Sequence, residues 1–442
     1  MNKKNAWTPD DEKEHFPSMM EWWCAEGFFK TIEDNKKWHF KTSFSEWLRF
    51  KGNPGSNYLL DHFDIENKKH YIYHINNEEE KLKISKDKLE VWFNNSKLEG
   101  LYPNYKLHLE NPNDDINLDI SLKSEVLPRW LAQDATNGLL PSGMGFYRYG
   151  FIPKNQINGT MKIKDKIFDV DGKGYYEHVY GHFTYEKSLS NLLNIKKIAS
   201  TYFNLAGWWI HNHKIKIPKT IAFTSENNPS GYDWVWAVLD NGWSLFFGNI
   251  MFWVKEGPIF GSLTLTKDEN TTIEFCNANV TYKKVIYIKE HDFYYPSEIL
   301  VDAKSNDERL KLLFKMDYNN IIEHITKFTL KNLGIGYVLV EAPGSVEGYC
   351  SDGKEKINLK GICKMEPQRS ISKHGHNSVK FDFYLPPKQF GCSIDLNSHF
   401  LKKNLKFNFG IKPKLRFSIR SKKINLGEIP DSNAKRFIYY AQ

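Results

Sequence analysis

Cysteine is scarce in this chain. Five residues in 442 (Cys24, Cys276, Cys350, Cys363 and Cys392) are odd in number and widely spaced, and no C-x-x-C pair occurs. That pattern argues against a disulfide framework and predicts reduced thiols. The first twenty residues, MNKKNAWTPDDEKEHFPSMM, hold no apolar run of the secretory type, so a cytoplasmic location is expected. Long charge-free hydrophobic stretches are missing as well. Residues 232–254 come nearest, with only Asp233 and Asp240 charged, but Asp240-Asn241-Gly242 interrupts them. Two apolar strands joined by a hairpin account for this segment better than a membrane helix. A G-x-S-x-G elbow, a Walker loop, H-E-x-x-H and a strand-linked G-x-G-x-x-G are all absent, and Gly334-Ile335-Gly336 lacks the third glycine. Nucleotide cofactors are disfavoured, and no cofactor is expected. Lys/Arg runs are absent too. The net charge of +8 comes from 61 basic residues scattered among 53 acidic ones. This excludes an obvious nucleic-acid groove and leaves open a loose electrostatic contact with an anionic membrane surface.

Aromatic residues are abundant: 13 Trp, 23 Tyr and 30 Phe, or 15% of the chain. Such usage favours β-sheet and concave apolar pockets, and it equally suits a general compositional bias towards Lys, Asn, Ile and Tyr. Period-two alternation recurs at His70–Ile75, Thr281–Ile288, Ser378–Leu385 and Lys414–Ile419. Turn signals at 52–55, 94–96, 111–115 and 227–231 separate such runs. Short strands at this spacing predict an antiparallel sandwich or barrel. Helical periodicity is rare. Ser188–Leu205 carries an imperfect apolar stripe, and Asp307–Asn319 is a second helical candidate.

The most informative stretch is Gly174–Gly181, GYYEHVYG. In an extended strand Tyr176, His178 and Tyr180 share one face. One imidazole between two phenols describes the wall of an aromatic pocket containing a single proton carrier. Glu177 takes the opposite face and is expected to be solvent-exposed or to pair outside the barrel.

Upstream stands Glu21-Trp22-Trp23, and downstream Tyr232-Asp233-Trp234-Val235-Trp236 leading to Asp240-Asn241-Gly242. Three blocks in this order resemble the carotenoid hydratase and AttH family of lipocalin-like proteins, over roughly residues 20 to 255. The resemblance implies an all-β fold of two consecutive lipocalin-like antiparallel barrels with short helical insertions. Taken with a change of character near Gly257-Pro258, it places one barrel at 1–257, with a helical insertion near 188–206, and a second at 258–442. It also implies a catalytic role for His178, whose block here has Tyr180 where the family carries Trp.

The expected chemistry is therefore proton transfer on a small hydrophobic substrate of isoprenoid, terpenoid or polyketide-like type, by hydration, cyclisation or isomerisation. A non-catalytic carrier of a lipid or terpenoid would use the same cavity. His178, Tyr180 and Asp233 are the candidate catalytic residues, since a carboxylate buried beside Trp234 has the environment of a raised-pKa acid. Trp22, Trp23, Tyr176, Trp208, Trp234 and Trp236 are the candidate ligand-binding residues, although for any single tryptophan plain core filling is the commoner role. Among metal readings, His178 and His182 lie about 13 Å apart on a strand, and His374-Gly375-His376 sits in a polar loop. No metal is expected.

Overall fold

A computed structural model describes residues 7–15, 18–48, 54–77, 82–142, 145–182, 196, 199–201, 203–204, 207, 220–224, 231–250, 260–275, 277–288, 293–305, 308–327, 335–372, 377–384, 391–398, 403–409 and 435–440. The chain divides into two compact units. One comprises Met1–Trp208, Gly242–Ser244 and Thr266–Thr272, and the other Trp209–Asn241, Leu245–Leu265 and Ile273–Gln442. The expected boundary at Gly257-Pro258, the stretch 208–213 with Trp208 and the strand at 414–419 lie outside the described residues, as does most of the helical insertion near 188–206.

The fold is all-β, as its alternation predicts. The first unit is built on a 13-stranded sheet. Its path runs Lys69–Asn77, Pro54–Asp64, Lys37–Leu48, Met20–Thr31, Lys166–His182, Gly145–Ile163, Ile116–Ser124, Asn104–Asn111, Ser96–Leu101, Leu89–Phe93 and Leu82–Ile84. Every pairing along this path is antiparallel. Ile116–Ser124 alternates buried and exposed residues, as a strand with one wet face does. Met20–Thr31 is buried on both faces over most of its length, which is why its sequence does not alternate. One face of the sheet packs an aromatic core that includes Trp23, Phe40, Phe44, Tyr58, Tyr105 and Tyr176.

The two long strands Gly145–Ile163 and Lys166–His182 form a hairpin whose register shifts between Ile152 and Asn155. Pro153 has no N–H to give to the ladder, so a bulge falls there. The shift lies beside Gly174 and Tyr176, at the start of the informative octapeptide.

The second unit has an 11-stranded sheet and a 4-stranded sheet. In the larger one, Gly231–Leu239 pairs with Ser244–Ile250 and Lys356–Ser372. The turn between the first two holds Gly242 at φ 81°, so the apolar segment is a hairpin. No helix among the described residues is long and apolar enough to cross a membrane. One expectation is corrected: of the helical candidate at 307–319, the described residues 308–319 are not helical. Glu308–Met316 is a strand with Leu310, Leu312, Phe314 and Met316 buried on one face. Its period-two alternation outweighs the helix-compatible Leu and Lys content.

Candidate functional site

The site begins with register. Trp23 lies opposite His178, Glu21 opposite Tyr180 and Ala25 opposite Tyr176. Directly opposed residues of an antiparallel pair point to the same face, so Glu21, Trp23, Tyr176, His178 and Tyr180 share one. Trp22 and Glu177 take the other face. The structure thus separates the two tryptophans of the EWW block. Trp23 stacks on His178 with centroids 4.8 Å apart, while Trp22 Nε1 donates to Glu177 Oε1 at 2.8 Å.

The N-terminal segment supplies what the strands lack. Trp7 stacks on Trp130 at 5.1 Å. Gly150 makes room for it: a Cβ there would lie 2.1 Å from Trp7 Cζ3. A single 3₁₀ turn, Pro9–Asp11, follows, with Thr8 donating N–H and Oγ1 to Asp11 Oδ2, each at 2.8 Å. This turn brings the Asp11 carbonyl to His178 and carries Glu12 and His15 to the same end of the sheet.

His178 is fully buried and both of its ring nitrogens are engaged. Nδ1 stands 2.7 Å from the Asp11 carbonyl oxygen, and Nε2 stands 2.8 Å from Glu21 Oε1. A carbonyl only accepts, so Nδ1 carries a proton. Glu21 Oε1 also meets His15 Nδ1 at 3.1 Å, and the His15 N–H donates to both Glu21 oxygens at 3.1 and 3.0 Å.

Burial pushes the His178 imidazole down and Glu21 opposes it, leaving it below its ordinary value. Burial pushes Glu21 up, but the donors from His15 and His178 outweigh that, and its carboxyl lies below the ordinary range. The two directions conflict: a neutral ring donating through Nδ1 would turn an Nε2 lone pair onto a carboxylate. The geometry decides for Glu21 as the anion, with one proton held between Nε2 and Oε1. The pair therefore titrates as a unit.

Tyr180 lies flat on His15, with centroids 3.5 Å apart and planes 4° from parallel. Its hydroxyl accepts from Arg148 Nη1 at 3.2 Å, and the same nitrogen reaches Asp11 Oδ1 at 2.9 Å. Arg148 also sits 3.5 Å over the Trp130 ring. One cation thus fixes the phenol, the turn and the tryptophan together.

His15, Glu21 and His178 offer one ligand atom each, all within 4.8 Å of one another. Two imidazoles and a carboxylate are a donor set that suits a divalent ion. An ion there would displace the proton shared by His178 and Glu21. The present contacts, at hydrogen-bond distance and supported by the His15 backbone, fit proton sharing.

Glu177 corrects a sequence expectation. It is buried, not at the surface, because Trp22, Tyr149 and Tyr175 all donate to its carboxylate. Burial raises its pKa against those donors. Asp233, Trp234 and Trp236 belong to the second unit. There Asp233 Oδ1 takes Arg369 Nη2 at 2.7 Å and Oδ2 accepts the Tyr282 hydroxyl, while Trp234 meets Phe246 edge-on. Sequence reasoning missed Glu12, His15 and Glu21 as site residues. Only Glu21 had a visible signal, as the first residue of the EWW block.

No protein-family model matches the chain, and neither does any curated protein sequence. Among solved structures it is similar to an AttH-like protein from Nitrosomonas europaea at 16% identity and a TM-score of 0.51, covering 82% of this chain and 96% of that one. It is also similar to kievitone hydratase from Nectria haematococca at 10% identity and a TM-score of 0.51, covering 83% and 93%. At these identities the likeness concerns the fold, and the fold of this chain is that of the AttH-like, lipocalin-like proteins.

Proposed function

We propose that the protein is a cofactor-independent enzyme that transfers a proton to or from an unsaturated hydrophobic substrate, isoprenoid or polyketide-like, held by the aromatic face of the first unit. The observation that carries this reading is the buried 2.8 Å contact of His178 Nε2 with Glu21 Oε1, a distance at which one proton lies between the two atoms. A buried, preorganised acid–base pair is what hydration, cyclisation and isomerisation of an alkene have in common. His178 stores the proton. Glu21 holds it and orients His15, which is 22% exposed and bonded to Glu21 through Nδ1. That leaves His15 Nε2 as the outward terminus of the relay. Tyr180, stacked on His15, positions substrate at that end. In a hydration, the relay gives its proton to one alkene carbon, water adds to the other, and the water's proton returns to the relay.

The likeness to a hydratase fold agrees with this reading and suggests kievitone as one probe. The protein should be incubated in D₂O with kievitone and with a panel of unsaturated isoprenoids and polyketides. Mass spectrometry would then register a carbon-bound deuterium or the gain of one D₂O. Absence of either with every member of the panel counts against the enzyme and favours the carrier.

A further inference from the structure

We propose that Glu12 and Tyr176 form a polar subsite within the aromatic core of the first unit that binds an oxygen atom of the substrate. The ligand would then be an oxygenated aromatic or polyketide-like molecule, not a hydrocarbon polyene. This rests on the reading of the first unit as the ligand-holding one.

Two buried polar atoms motivate it. The Tyr176 hydroxyl is fully buried and has no hydrogen-bond partner. Glu12 is 1% exposed, and its two oxygens differ. Oε1 accepts from Trp7 Nε1 at 2.9 Å, from the Tyr102 N–H at 3.2 Å and from the Tyr105 hydroxyl at 2.9 Å. Oε2 accepts from nothing.

Both groups belong to one place. Tyr105 bonds Glu12 through its hydroxyl, and its ring lies 4.6 Å from the ring of Tyr176. Tyr105 and Tyr176 are both members of the aromatic core, as is Trp23, whose Nε1 donates to the Glu12 carbonyl at 3.1 Å. An orphaned buried hydroxyl or carboxyl is costly, and two joined through the one side chain of Tyr105 call for a missing partner.

The chemistry of that partner follows. Tyr176 offers a donor. Burial pushes Glu12 up to about 7 against the donors around it, so near neutral pH it can give a proton to a carbonyl or accept one from a phenol. A carbonyl, enol or phenol oxygen satisfies both groups. A polyene satisfies neither and would leave both penalties in place.

The test uses the full chain and two probes that differ by one hydroxyl, 2-naphthol and naphthalene, titrated calorimetrically. The wild type should prefer 2-naphthol by about tenfold or more, the worth of one or two well-made hydrogen bonds. Tyr176→Phe, a near-isosteric change that keeps the core filled, should remove most of that preference while leaving naphthalene binding unchanged. Glu12→Gln should reduce it independently. Equal binding of the two probes by the wild type overturns the subsite and leaves the ligand-holding reading intact. A preference untouched by both substitutions also overturns it. Binding of neither probe overturns the subsite and the ligand-holding reading together.

Discussion

His178 Nε2 lies 2.8 Å from Oε1 of Glu21, a residue 157 positions away in sequence. The contact exists because Met20–Thr31 and Lys166–His182 pair in a register that sets Trp23 against His178. Glu21 then reaches the imidazole diagonally along the same face. The pair is therefore held by the central strand pairing of the first sheet, while its partners Asp11 and His15 come from the N-terminal segment.

Glu21→Gln should lower turnover by at least about a hundredfold if the pair is the proton relay, since that is the usual worth of a positioned acid–base group. It should also flatten the acid limb of stability. Glu21 titrates below the ordinary 4.5 in the folded chain. Its contribution is therefore present above the unfolded value and is lost as pH falls through the folded one. Chemical denaturation of wild type and variant between pH 3 and 6 measures this (about three pH units bracket the transition), and the two curves should converge at the acid end.

Glu12 has the opposite sign. Its folded pKa of about 7 lies above the ordinary 4.5. The protonated form is favoured by folding, so stability is highest below the unfolded value and declines as pH rises through 7. The full difference is on the order of 3 kcal/mol. Wild type should lose stability between the unfolded value of 4.5 and the folded value of about 7 more steeply than Glu12→Gln. Parallel slopes would mean that Glu12 titrates normally.

Gly150→Ala tests the seating of the N-terminal segment. The added methyl meets Trp7 at 2.1 Å and Trp130 at 2.9 Å. Trp7 is the more easily displaced of the two, because it lies in a segment outside the sheet. We expect a stability loss of about 1–3 kcal/mol and a larger proportional loss of activity, since the Asp11 carbonyl and His15 move with the segment. Intact activity would show that the segment can reseat without Trp7.

Cys24, Cys350 and Cys363 are buried and in no disulfide, and burial raises the Cys363 thiol well above its ordinary range. These three should react slowly with a thiol reagent in the native protein. All five cysteines should react after denaturation without reductant. A shortfall of two or four would indicate disulfides.

Much of the architecture was legible because its signal is local. Alternation at Tyr176, His178 and Tyr180 places them on one face without knowledge of any partner strand, and Asp240-Asn241-Gly242 marks its own hairpin. The rest depended on distant pairing. Glu21 stands beside two tryptophans in sequence, and nothing in that spacing says that its carboxylate meets an imidazole on another strand. Glu12 and His15 lie outside any strand, in a segment with no period to read, so their placement follows from Trp7 finding the space left by Gly150. Glu177 seemed exposed by alternation alone, since the rule separates faces but does not say whether the second face is wet. At 308–316 the error was one of period: the paired leucines at 312–313 blur the alternation that Leu310, Phe314 and Met316 carry.

The central claim is that the pair formed by His178 and Glu21 moves a proton on a bound substrate. Deuterium incorporation from D₂O into a substrate found by the panel above, compared between wild type and His178→Gln, tests it most directly. Glutamine keeps the shape and can still bond the Asp11 carbonyl, but it cannot titrate. The account predicts that the variant binds substrate with unchanged affinity while incorporation falls by about a hundredfold or more. Incorporation at the wild-type rate in a folded His178→Gln would contradict it.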